Sequence, residues 1–170
     1  MRVASFDIVF QEIPGEVTLA LNLSGCPCHC HGCHSPHLWE DIGEPLNQEL
    51  LDGLLTRYGS EVTCVAFMGG DQAPDEVAEW GRYVRNHPSP NGPLKTAWYS
   101  GRMNFPVTPL SAANSDAADS EAPFDFVKLG PYVEALGGLK SPTTNQRLYK
   151  RVGNRWEDIT DAFWRKSPFG

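Results

Sequence analysis

Apolar residues along the chain alternate between short continuous runs and helical spacing, and the changes of spacing divide it into elements. Val17 to Ser24 reads as a strand that runs into a cluster of cysteines. Leu50, Leu51, Leu54, Leu55 and Tyr58 then form a helical stripe, with Asn47 as N-cap and Gly59 as the stop. Val62 to Met68 is an uninterrupted apolar run, the signature of a buried strand. Pro74 to Arg85 returns to helical spacing through Val77, Trp80, Gly81 and Val84, and core packing is expected for Trp80. Strands are expected again at Thr96–Tyr99 and Phe124–Leu129. Such a strand–helix rhythm predicts an α/β fold with a parallel sheet and crossover helices. With 170 residues the chain is too short for eight repeats, so a single-domain open partial (β/α) barrel over residues 1–170 is expected.

Two segments fall outside this rhythm. Residues 106–123 turn polar and are expected to be an Ala-rich helix or a mobile insertion without chemistry of their own. Residues 147–160 read as a C-terminal hairpin turning at Gly153-Asn154. Its expected role is to close the open edge of the barrel or to touch a partner, with Lys150, Arg151 and Arg155 on a solvated face. No internal repeat is evident.

Composition narrows the function more than the fold. The net charge is −7 and no basic cluster appears, which argues against a nucleic-acid partner because phosphate contacts need concentrated Lys and Arg. No apolar stretch approaches the length of a membrane span and the N-terminus shows no charged and apolar leader, so no membrane partner and a cytoplasmic location are expected.

Cysteine spacing carries the first chemical signal. Cys26, Cys30 and Cys33 stand as C-x3-C-x2-C in the segment from Ser24 to Trp39. That supplies three thiolates, one fewer than the four that ordinarily saturate a cubane iron–sulfur cluster. An iron without a protein ligand is open to bind and react with a small molecule, and Gly25 and Gly32 let the backbone pass close to a cluster. Zinc is the alternative on these residues alone, since Cys28, His29, His31, His34 and His37 add further ligand types. A disulfide framework fits poorly, because four of the five cysteines crowd between Cys26 and Cys33 and cannot join distant segments. Cys28 is expected to point away from the site, and Cys64 to be a buried core thiol.

The second signal lies downstream. The strand Val62–Met68 ends in Gly69-Gly70-Asp71-Gln72, a turn that exposes backbone groups where α/β folds bind ligands. The glycines clear the approach, and Asp71 offers a carboxylate suited to an ammonium group. A Gly-Gly-Asp turn alone is weak evidence. Combined with an open-cluster cysteine loop, it is strong.

Together these motifs resemble the radical S-adenosylmethionine superfamily, and within it the activating proteins of anaerobic ribonucleoside-triphosphate reductases. The stretch Cys30-His31-Gly32-Cys33-His34-Ser35-Pro36-His37-Leu38-Trp39 is similar to their cysteine loop, with His34 in place of the usual aromatic residue. Asp71 replaces a commoner glutamate. Thr96-Ala97-Trp98-Tyr99-Ser100-Gly101, Phe124 to Tyr132 and Thr143-Thr144-Asn145-Gln146 are similar to later family segments.

The resemblance implies a barrel of the radical S-adenosylmethionine type. It also implies a [4Fe-4S] cluster on Cys26, Cys30 and Cys33, with S-adenosyl-L-methionine bound by Gly32, Cys33, His34 and by Gly69, Gly70 and Asp71. No catalytic residue beyond the cluster ligands is implied. The implied activity is an oxidoreductase that generates a glycyl radical on the large reductase subunit. Its implied electron source is an external donor such as flavodoxin or ferredoxin. Activation of another glycyl-radical enzyme such as pyruvate formate-lyase, and a zinc-binding module without activity, are the competing readings.

Overall fold

The structure, a computed structural model, describes residues 1–33, 35–103, 123–153 and 155–165. Its strands are β1 (Arg2–Val9), β2 (Thr18–Leu23), β3 (Glu44–Pro45), β4 (Cys64–Met68), β5 (Lys95–Tyr99), β6 (Phe126–Leu129), β7 (Arg147–Val152) and β8 (Arg155–Asp158). They join into one eight-stranded sheet in the order β3-β1-β2-β4-β5-β6-β7-β8. Two α-helices, α1 (Gln48–Tyr58) and α2 (Pro74–Asn86), accompany it among the described residues.

The four expected strands form the centre, where β2, β4, β5 and β6 pair in parallel. The expected (β/α) barrel of the radical S-adenosylmethionine type is not formed. Even an open partial barrel is built by repeating strand–helix units, and among the described residues only α1 and α2 accompany the eight strands. Here β1 runs antiparallel to β2, and β7 and β8 run antiparallel to their neighbours, so the sheet is mixed and ends in two separate edges. The hairpin expected at 147–160 therefore extends the sheet as β7 and β8 rather than closing a barrel. Asn154 of its turn, and residues 106–122 of the expected insertion, lie outside the described residues.

Local chemistry explains the helices. Asn47 caps α1 by accepting from the Leu50 amide at 2.9 Å, and Pro74 opens α2 where its missing N–H costs nothing. Both helices cross between successive parallel strands, and right-handed crossovers along one direction of the sheet place them on the same face. That face holds the larger core, where Leu51, Leu55, Val77 and Val84 pack against Leu21, Phe67 and Trp98.

The opposite face has a thinner cover. Ile13, Leu139, Ile159 and Phe163 pack over Ala66, Ala97 and Phe126. Two residues further along the strands, Asn22, Met68, Tyr99 and Lys128 lie in register across β2, β4, β5 and β6. This row stands at the carboxyl ends of all four parallel strands, where α/β sheets present their ligand sites.

Candidate metal centre

The cysteine loop leaves β2, and its outgoing and returning arms are bonded to each other. Ser24 Oγ donates to the Ile42 carbonyl at 2.7 Å, and the amides of Gly25 and Cys26 donate to the carbonyls of Glu40 and Leu38. Inside the loop, His29 adopts a φ of 43° and stacks on Trp39 with ring centroids 4.6 Å apart. Few non-glycine residues enter the left-handed region, and here it turns the chain between Cys28 and Cys30. The Cys33 amide closes on the Cys30 carbonyl, and the Ser35 amide donates to Cys33 Sγ at 3.4 Å. The cysteines are free thiols, with Cys26, Cys28, Cys30 and Cys33 half-buried and Cys64 fully buried. Cys64 is the core thiol expected, its ionisation strongly disfavoured by burial.

Cys26, Cys30 and Cys33 line a single cavity of about 640 Å³ on the open face of the sheet, together with Gly69 and Asp71. Residues far apart in sequence are thus brought to one place. Cys28 lines the same cavity, contrary to the expectation that it points away. Its thiol donates to Asp71 Oδ2 at 3.5 Å, and a side chain on Gly101 would collide with its sulfur. Burial, aided by the Asp71 carboxylate and by Cys26, pushes the Cys28 thiol up to about 12. Gly32 has a φ of 76° and faces Glu134. His34 lies outside the described residues.

The glycine turn is bonded throughout. Trp98 Nε1 donates to the Gly69 carbonyl at 2.7 Å, and the Ala73 amide to that of Gly70. Asp71 is 1% exposed, and its carboxylate accepts from Ser100 Oγ at 2.5 Å and the Gly101 amide at 2.9 Å. Arg102 donates to the Asp71 carbonyl at 2.8 Å and lies 3.9 Å from its carboxylate. Among these partners the Cys28 thiol is the weakest donor, so it is the one an ammonium group would displace with least loss. Gly70 does not border the cavity: a Cβ there would point at Val77 and Leu23 in the core. Gln72 ties the turn to the cysteine loop by donating to the Ser24 carbonyl at 2.9 Å.

Further groups complete the wall. The Tyr99 hydroxyl donates to the Glu12 carbonyl, and Lys140 donates to Gln11 Oε1 at 2.7 Å, so the segment after β1 is fastened beneath the cavity. Lys128 is 8% exposed, and its ammonium donates to the carbonyls of Ser100 at 3.0 Å and Gly130 at 2.9 Å. Burial draws it down to about 8, against the opposing pull of Asp71 and of Cys30, Cys28 and Cys26. Gln146, from the segment Thr143–Gln146, reaches the cavity and donates to the Gly130 carbonyl. Sequence reasoning missed Lys128, although a charge inside Phe126-Val127-Lys128-Leu129 was a visible signal.

Several thiols converging on one cavity suit either zinc or an iron–sulfur cluster, and the comparison with known families separates them. The family of 4Fe-4S single cluster domains matches residues 14–109, more than half of the chain. The chain belongs to that family. No curated protein and no solved structure matches it. The match spans β2, the cysteine loop, the glycine turn and β5, so it covers the elements that bring Cys26, Cys30, Cys33, Gly69 and Asp71 to the cavity. The donor set of a 4Fe-4S single cluster domain is present: thiols from one short loop, half-buried around a cavity whose floor carries a buried cation. Among the described residues, no helix is long and apolar enough to cross a membrane.

Proposed function

We propose that this 4Fe-4S protein is a radical S-adenosylmethionine activase that installs a glycyl radical on the large subunit of an anaerobic ribonucleoside-triphosphate reductase. The observation that carries the reading is the convergence of Cys26, Cys30 and Cys33 with Gly69 and Asp71 on one cavity at the carboxyl ends of parallel strands. Three thiolates leave one iron for a small-molecule ligand, and the cavity offers the acceptors that an amino acid's ammonium needs beside it. When bound, the cluster supplies the electron that cleaves S-adenosyl-L-methionine to methionine and a 5′-deoxyadenosyl radical.

The chain's own residues perform binding and shielding. Cys26, Cys30 and Cys33 hold the cluster. The Asp71 carboxylate receives the ammonium of S-adenosylmethionine in place of the Cys28 thiol, while Ser100 and the Gly101 amide keep it aimed. Gly69 borders the cofactor without a side chain in its way. The segment fastened by Tyr99 and Lys140 excludes water from the far side. An external donor such as flavodoxin or ferredoxin provides the electron. The hydrogen comes from a backbone glycine of the partner and passes to the 5′-deoxyadenosyl radical, which leaves as 5′-deoxyadenosine while the unpaired electron stays on the glycine.

The test uses a reductase deuterated at glycine, mixed anaerobically with the reconstituted protein, reductant and S-adenosylmethionine. Deuterium is expected in 5′-deoxyadenosine, together with a glycyl-radical signal on the reductase. Cofactor cleavage without label transfer would overturn the assigned partner. Transfer from pyruvate formate-lyase instead would reassign the protein to that enzyme.

A further inference from the structure

Lys128 is a buried cation that no carboxylate pairs with among the described residues, and beyond hydrogen bonds its ammonium faces only the Tyr99 ring, 5.9 Å from the ring centre. It lies in β6 between the core residues Val127 and Leu129, and its ammonium is held by two carbonyls. Carbonyl dipoles orient an ammonium but leave its unit charge uncompensated, and an unpaired charge out of water is strongly disfavoured. Asp71, the buried acid that acts on it from a distance, is already engaged by Arg102, Ser100 and Gly101. Yet the row that places Lys128 beside Tyr99 and Met68 also places it in the wall shared with Cys26, Cys30 and Cys33. The cavity is thus built to receive an anion.

A cubane cluster on three thiolates is an anion, and it gains a further negative charge on reduction. We propose that Lys128 is the built-in counter-ion of that cluster, a residue that acts through its field and favours the reduced state. The inference rests on the cluster assignment made above. It goes beyond it by naming a group that sets the potential, since net charge and burial around a cluster are main determinants of that potential.

The experiment reconstitutes wild type, Lys128→Met and Lys128→Arg anaerobically with iron and sulfide, counts iron, and titrates the cluster by EPR without S-adenosylmethionine. All three are expected to take up the same iron. At the wild-type midpoint potential, Lys128→Met is expected to show a reduced-to-oxidised ratio about ten-fold lower, equivalent to a downward shift of about 59 mV for one electron. Lys128→Arg, which keeps the charge, should lie near wild type. Should Lys128→Met fail to assemble, Lys128→Gln keeps a donor for the carbonyls without the charge and is titrated by the same criterion. Assembly lost in both neutral variants and kept in Lys128→Arg also supports a counter-ion. A neutral variant with the wild-type potential overturns the proposal. So does one whose only change is weaker S-adenosylmethionine binding, which would reassign Lys128 to the cofactor's carboxylate. A wild type that takes up no four-iron cluster, or a Cys30→Ala variant that takes it up normally, would instead overturn the cluster assignment itself.

Discussion

Replacing Gly70 with valine is expected to weaken the fold before it weakens any binding. Gly70 has a φ of +87°, and a Cβ there would sit 2.5 Å from Val77 Cγ2 and 3.0 Å from Leu23 Cδ1. Carbon atoms prefer separations of about 3.5–4 Å, so the neighbours must retreat by about 1 Å. Val77 and Leu23 are fully buried and have no solvent to move into. Overpacking of this kind costs about 1–3 kcal/mol. The left-handed backbone adds about 1–2 kcal/mol for a residue with a Cβ, so the sum is about 2–5 kcal/mol. For a chain of this size a loss of about 3 kcal/mol lowers Tm by about 6–12 °C. Urea denaturation of the metal-free protein, followed by tryptophan fluorescence, measures the change. Gly69→Ala is the control, because Gly69 borders the cavity and its nearest obstacle is the Leu23 carbonyl at 3.2 Å. A Gly70→Val protein with wild-type midpoint and Tm but no affinity for S-adenosylmethionine would refute the reasoning and put Gly70 against the cofactor.

Cys26→Ala, Cys30→Ala and Cys33→Ala should each abolish assembly of a four-iron cluster, whereas Cys28→Ala and Cys64→Ala should retain it. Iron and sulfide counts with optical spectra decide this, and loss of assembly in Cys28→Ala would make that thiol a ligand. Asp125→Ala should cost about 2 kcal/mol by urea denaturation, because it strands both Arg85 and the Thr96 amide, which it accepts from at 2.8 and 2.9 Å. A wild-type urea midpoint would show that water replaces the carboxylate without loss. Lys128 predicts a pH dependence in the metal-free protein. Its folded value of about 8 lies below its ordinary 10.5, so the unfolded chain binds the proton more tightly. The cost of the charged ammonium is fully present below pH 8 and disappears as pH rises to 10.5. The stability of wild type relative to Lys128→Met should therefore rise by about 3 kcal/mol across that window. A flat difference would mean that water or a counter-ion already reaches the ammonium.

The centre of the sheet was legible because buried parallel strands are continuous apolar runs flanked by helical stripes. Val62–Met68 and the stripe from Leu50 to Tyr58 are of that kind, and both became the expected elements. The edges were not legible for the same reason. In β1, Arg2, Ser5 and Asp7 interrupt the apolar residues, and much of the strand is exposed, so its sequence carries little of the burial signal that marks a strand. β3 is two exposed residues whose pairing with β1 leaves no trace in composition. With these strands unseen, the helix–strand rhythm pointed to a barrel. Antiparallel strands on both flanks turn the same centre into an open sheet.

The site divides along a similar line. Spacing within one loop is local, so Cys26, Cys30 and Cys33 could be read directly, and a strand ending in Gly-Gly-Asp located the other wall. What spacing could not supply was direction. Gly69 and Gly70 are neighbours in one turn, yet one borders the cavity and the other faces α2, because both lie beyond β4 with positive φ, where the strand's alternation no longer holds. Cys28 was assigned outward by the same kind of counting. The positive φ of His29 rotates the loop between Cys28 and Cys30, so counting alone fails there and Cys28 reaches Asp71. The charge in β6 is the instructive miss. A lysine among Phe126, Val127 and Leu129 breaks the rule that buried strands are apolar, and natural chains retain such a violation where the fold gains something for it. Among the described residues no carboxylate pairs with it, and the nearby buried acid Asp71 is already bonded to its own partners. An anion placed against Cys26, Cys30 and Cys33 would supply that partner, so the lysine and the cysteines are two halves of one electrostatic design.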